Sequence, residues 1–132
     1  MSSEYVRFPA RAAWRDRENL LRRIAEEAYR AARYRLPFTL LLVSLDFCNQ
    51  GTDRDLKEFT GTGLRELDFA GKLGEGAYAI GMPNSPCKGA EVVANRLRRI
   101  LIDYRPRTGV AGVPEGGVNP SELLATAAKN LN

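Results

Sequence analysis

The chain has 132 residues, 44% of them hydrophobic and 27% charged, with a formal net charge of +4, two cysteines and no histidine. That length suits one domain with its own hydrophobic core and is short for two. Without histidine, Cys48 and Cys87 have nothing to complete a metal site, so they read as free thiols of a reducing cytoplasm. The opening Met1-Ser2-Ser3-Glu4-Tyr5 lacks the basic start and apolar run of a signal peptide, and no apolar window reaches membrane-spanning length. The expectation is a cytoplasmic chain with no membrane partner.

From Arg11 to about Arg35 the spacing predicts a helix, with Leu20, Leu21, Ile24, Ala25, Ala28 and Ala32 at three- and four-residue steps and Pro37 ending it. Its arginines (15, 17, 22, 23, 30 and 33) alternate with Asp16, Glu18, Glu26 and Glu27, which reads as a solvated face and argues against a nucleic-acid partner. Phe38 to Phe47 is a nearly continuous apolar run after a proline, the pattern of a central strand covered on both faces. A second helix is expected from about Asp55 to Leu67, capped by Thr52 or Asp53 and weakened by Gly61 and Gly63. Read as a phosphate cradle, that glycine pair lacks a preceding strand and is a weak signal.

The stretch from Leu64 to Ile80 reads as the end of that helix, a strand, a Gly74-Glu75-Gly76 turn and a second strand. On its shoulder Arg65-x-x-Asp68 sets a five-donor cation one helical turn before an acceptor-only anion. Met82-Pro83 closes the second strand, and Pro86 to Tyr104 is read as a helix whose inner face carries Val93, Leu97, Ile100, Leu101 and Tyr104. Arg96 falls on the border of that face, with Arg98 and Arg99 further out.

This order and spacing resemble the GGDEF domain of diguanylate cyclases over about Asn19 to Leu131, with Arg107 to Val113 resembling the family's later strand and Pro120 to Asn132 its last helix. In that family an Arg-x-x-Asp inhibitory motif precedes the signature turn by five residues, as Phe69 to Leu73 separate Asp68 from Gly74-Glu75-Gly76-Ala77-Tyr78 here. The strand through Phe38 resembles the family's first core strand, with Ser44 at its first aspartate, Asp46 at its second and Asn49 at its lysine; Phe8 to Trp14 stand in place of the opening motif. The resemblance implies an α/β fold, a single palm-like domain over residues 16–132 after an extension over 1–15, with a mostly antiparallel central sheet flanked by helices.

It also implies a bacterial second-messenger function from which catalysis has been lost. Joining two GTP molecules needs carboxylates that hold metal ions, and the matching positions are Ser44, Gly76 and Ala77. Asp46 and Glu75 are acidic neighbours, but a one-residue shift on a strand sends a side chain to the opposite face. No catalytic residue, metal or cofactor is therefore expected. The resemblance keeps Arg65 and Asp68, and counting from the hairpin puts the family's second inhibitory-site arginine on Arg96. The expected ligand is cyclic di-GMP: Arg65 forking onto guanine O6/N7 or a phosphate, Asp68 accepting from N1/N2, Arg96 adding a second cation. A ligand-promoted homodimer and a downstream protein partner are implied. The plainer readings are an exposed Arg65–Asp68 ion pair, an Arg96 stem lying along the core edge, and for the whole chain a nucleotide-independent interaction or dimerisation module.

Overall fold

A computed structural model describes residues 14–132. Helix α1 (Arg17–Tyr34) starts where the Asp16 side chain accepts the Asn19 N–H at 2.9 Å and ends where Arg35 turns left-handed at φ 57°. Leu20, Ile24, Ala28 and Ala31 are its buried stripe. Ala25 and Ala32, read as inward-facing, are exposed, because the stripe steps from Ala28 to Ala31. The helix expected from Arg11 thus starts at Arg17. Arg11 to Ala13 lie outside the described residues, and Trp14–Arg15 form a short strand, β1, within the stretch expected to be an extension.

Strand β2 (Phe38–Leu45) is an interior strand of the sheet, as its nearly continuous apolar run predicts. Helix α2 (Thr52–Gly63) leads to β3 (Phe69–Gly74), β4 (Ala77–Pro83), α3 (Cys87–Ile100), a short 3-10 turn (Ile102–Tyr104), β5 (Pro106–Gly112) and α4 (Pro120–Lys129). The sheet order is β1-β3-β4-β2-β5, with β1 parallel to β3 and the other pairs antiparallel. This is the mixed α/β architecture expected, a sheet with helices on both faces. Leu41, Val43 and Leu45 pack with Leu56 and Phe59 of α2 and with Ala94 and Leu97 of α3. Phe38, Leu40 and Leu42 pack on the other face with Leu20 and Ile24 of α1 and with Leu123 and Ala127 of α4.

Three local differences place the site. Helix α2 begins and ends earlier than expected: neither Thr52 nor Asp53 caps it, since Gly51 is the N-cap and the Thr52 hydroxyl instead accepts the Asn49 N–H at 2.8 Å. Extended backbone at Leu64 stops it, so Arg65 and Asp68 belong to a turn between α2 and β3 and not to a helix. Ile100, expected on the inner face of α3, is exposed, because the helix stops there while Leu101 and Tyr104 are turned inward. The hairpin itself is as read. Gly76, at φ 71°, takes the left-handed position of its turn, where a β-carbon would sit 3.1 Å from the Leu45 carbonyl oxygen.

Candidate functional site

Between the end of α2 and the start of β3 the chain makes a tight turn held by its own polar groups. The Arg65 N–H donates to Asp68 Oδ2 at 2.9 Å, and the Asp68 N–H returns a bond to the Arg65 carbonyl at 3.1 Å. Such side-chain-to-backbone closure is the usual use of aspartate in turns. It aims the Arg65 side chain outward, 65% exposed, while the Asp68 side chain is 2% exposed. The Arg65 guanidinium crosses to the loop before α3, donating to Ser85 Oγ and, at 3.4 Å, to the Pro83 carbonyl. In the opposite direction Arg96, half-buried on α3, donates through Nη1 to the Gly63 carbonyl at 3.1 Å. Arg65 thus reaches from the turn to the loop before α3, and Arg96 from α3 to the last residue of α2, a clasp that sets the bonds of the three expected site residues about one segment, 63–68.

Asp68 departs from both readings offered for it. It is not half of an exposed ion pair: it is buried, with its Oδ2 3.8 Å from Arg65 Nε. Nor does its carboxyl face outward as an acceptor for a ligand edge, because Oδ2 is spent on the turn and Oδ1 lies buried without a partner. Burial pushes the Asp68 carboxyl above the usual carboxylate range, against the opposing pull of the Arg65 N–H and charge. With the folded value above the unfolded one near 3.8, the native state holds more protons through that window, so this group's contribution to stability falls as pH rises through it. Asp68→Asn keeps an oxygen for the Arg65 N–H and removes the titration. The expected result is that the variant gains stability relative to wild type between acid and neutral pH, read from urea midpoints at the two pH values. An unchanged difference between the two proteins counts against a raised Asp68.

The positions where metal-holding acids were sought are arranged differently. Ser44 lies between Ala77 of β4 and Arg107 of β5. Asp46 pairs with Arg107 at 3.5 Å, and Glu75, 84% exposed at the hairpin tip, meets Lys72 at 3.5 Å. Lys72 also meets Asp53 at 3.2 Å, and the Tyr78 hydroxyl donates to Asp53 Oδ1 at 2.5 Å. The Tyr78 hydroxyl bond, ahead of Lys72, holds Asp53 below the usual carboxylate range, whereas burial and then Asp53 raise Tyr78. An ammonium thus stands between Asp53 and Glu75, and no group of three or more metal-ligating side chains occurs among the described residues. The donor set does not fit a magnesium site, which needs hard oxygens in octahedral array.

The network of Asp53, Lys72 and Tyr78 went unread in the sequence, since its members are far apart along the chain and Tyr78 looked like an ordinary strand residue. So did a broad cleft of about 1070 Å³ between α2 and the end of α3, lined by Trp14, Lys57, Phe59, Ile100 and Tyr104 among others.

No protein-family model matches the sequence, and no curated protein matches it. Solved structures do match the fold. A sensory box/GGDEF family protein from Caulobacter crescentus superposes with a TM-score of 0.70 at 20% identity, over 88% of this chain and 89% of that one. The active GGEEF domain of a diguanylate cyclase from Vibrio cholerae gives 0.75 at 17% identity, over 86% of each chain. The GGDEF domain of DgcB from Caulobacter crescentus, solved in complex with c-di-GMP, gives 0.65 at 15% identity, over 86% of this chain and 78% of that one. The fold is that of a GGDEF domain. Within it the turn of the β3–β4 hairpin carries Gly74-Glu75-Gly76-Ala77-Tyr78, and the Arg65 side-chain bonds lie at the other end of that hairpin, at Pro83 and Ser85.

Proposed function

We propose that this chain is a catalytically inactive GGDEF-type receptor that binds cyclic di-GMP through Arg65, Asp68 and Arg96 and relays it by dimerisation or by binding a further protein. The observation that carries this reading is the clasp: two arginines from different elements, Arg65 anchored on Ser85 and Pro83 and Arg96 on Gly63, each with guanidinium donors to spare, set about the segment 63–68. Cyclic di-GMP offers what such a pair recognises, two anionic phosphodiesters and two guanines with O6/N7 acceptor edges. Asp68 serves the site from beneath, its Oδ2 closing the turn that presents Arg65. A GGDEF domain solved in complex with c-di-GMP supports the ligand class. Calorimetric titration with cyclic di-GMP tests the reading, and no heat at micromolar concentrations overturns it.

Loss of catalysis rests on the chemistry of the hairpin end. Phosphoryl transfer between two nucleotides needs metal ions at the attacking and leaving oxygens. Ser44, Gly76 and Ala77 supply no carboxylate, Asp46 is paired with Arg107, and Glu75 with Lys72. Incubation with GTP and Mg²⁺ is expected to yield no cyclic di-GMP by mass spectrometry, and any turnover that scales with enzyme concentration contradicts this.

A further inference from the structure

We infer that Ser85 is the positioning residue of this site: its hydroxyl fixes the direction of the Arg65 fork, so that the arginine meets its ligand already oriented. The inference rests on the cyclic di-GMP reading above and adds to it a residue with no place in the Arg-x-x-Asp motif.

Ser85 lies 20 residues from Arg65 in sequence and is buried, 5% exposed, in the loop between β4 and α3. That loop is pinned from beneath. The Thr39 hydroxyl, buried on β2, donates to the Ser85 carbonyl at 2.7 Å, and the Asn84 N–H donates to the Pro37 carbonyl at 2.8 Å. A side-chain acceptor on a loop tied twice to the segment around the start of the central strand cannot drift with solvent. The Arg65 guanidinium docks on it through Nη2, with the Pro83 carbonyl alongside at 3.4 Å. One nitrogen of the planar group is held, which fixes the plane of the remaining N–H donors, with Nε 3.8 Å from Asp68 Oδ2 and the side chain as a whole mostly exposed.

A long, 65% exposed arginine without such a hold samples many rotamers, and a ligand has to stop that motion on binding. The Ser85 bond removes this cost in advance. Ser85→Ala leaves the buried bond from the Thr39 hydroxyl to the residue-85 carbonyl intact, so the loop itself stays in place.

The test uses the 132-residue chain and two readouts. In ¹⁵Nε relaxation measurements, the wild-type Arg65 side chain is expected to be ordered and that of Ser85→Ala mobile. In calorimetry with cyclic di-GMP, Ser85→Ala is expected to bind about five- to tenfold more weakly, with a thermal midpoint close to wild type. An Arg65 side chain that is equally mobile in both proteins overturns the inference, as does unchanged affinity in Ser85→Ala when wild type binds. If wild type does not bind, the receptor reading fails on its own account, and the relaxation contrast alone then decides whether Ser85 orients Arg65.

Discussion

Arg65→Ala is expected to weaken cyclic di-GMP binding by roughly 5- to 150-fold, the loss of one charge-assisted bidentate contact of about 1–3 kcal/mol. The variant leaves the fold intact for a specific reason: the turn closes through the Arg65 backbone N–H to Asp68, which alanine retains, and the lost side chain is mostly exposed. Arg65→Lys is expected to recover little, since an ammonium has the charge but lacks the planar fork. Calorimetric titration of wild type and both variants, with thermal melts as the folding control, reads this directly. Equal affinity in wild type and Arg65→Ala removes Arg65 from the site, and no binding by either protein leaves the domain as a nucleotide-independent interaction module.

A large loss of stability is expected on truncating Leu97. It is fully buried on α3, packed in the cluster that also holds Leu56, Phe59, Ala94 and Leu101, and it adjoins Arg96 in sequence. Leu97→Ala is expected to cost about 2–5 kcal/mol, lost transfer energy plus the cavity left behind. Ile100→Ala, three residues on, is expected to cost within about 0.5 kcal/mol, because that side chain is 59% exposed. Urea unfolding of the pair separates the two, and similar losses at both positions contradict the end of α3 described here. The comparison bears on function as well, since α3 carries Arg96 and so sets where its guanidinium meets Gly63.

Much of the architecture was legible along the chain, and the reasons are local. The nearly continuous apolar run from Phe38 fits a strand covered on both faces, and β2 is one. The hairpin announced itself through glycines at its turn, and one of them, Gly76, does hold the left-handed backbone that glycine tolerates. Element ends were read less well, because they are decided by competing weak bonds. Thr52 was available as a cap for α2 but accepts the Asn49 N–H, and Trp14–Arg15 continued a helical pattern yet pair with Ala70 and Gly71 in the sheet. Gly109 makes the same point. In sequence it is one glycine in a strand, but a β-carbon there would come 2.1 Å from the Ala127 carbonyl oxygen, so its absence is what lets α4 lie against β5.

The same division holds for the site. The sequence by itself determined which groups are present: Arg65, Asp68 and Arg96 at their spacings, and serine, glycine and alanine where carboxylates were sought, because residue type and local period are carried by the chain alone. Only the tertiary structure decided what each group does with its partners. It turned Asp68 inward to close the turn, set Lys72 between Asp53 and Glu75, and brought Ser85 under the Arg65 guanidinium. Those pairings join residues up to 20 positions apart. Hydrogen bonds across such distances form only once sheet register and helix packing have fixed where the backbone runs.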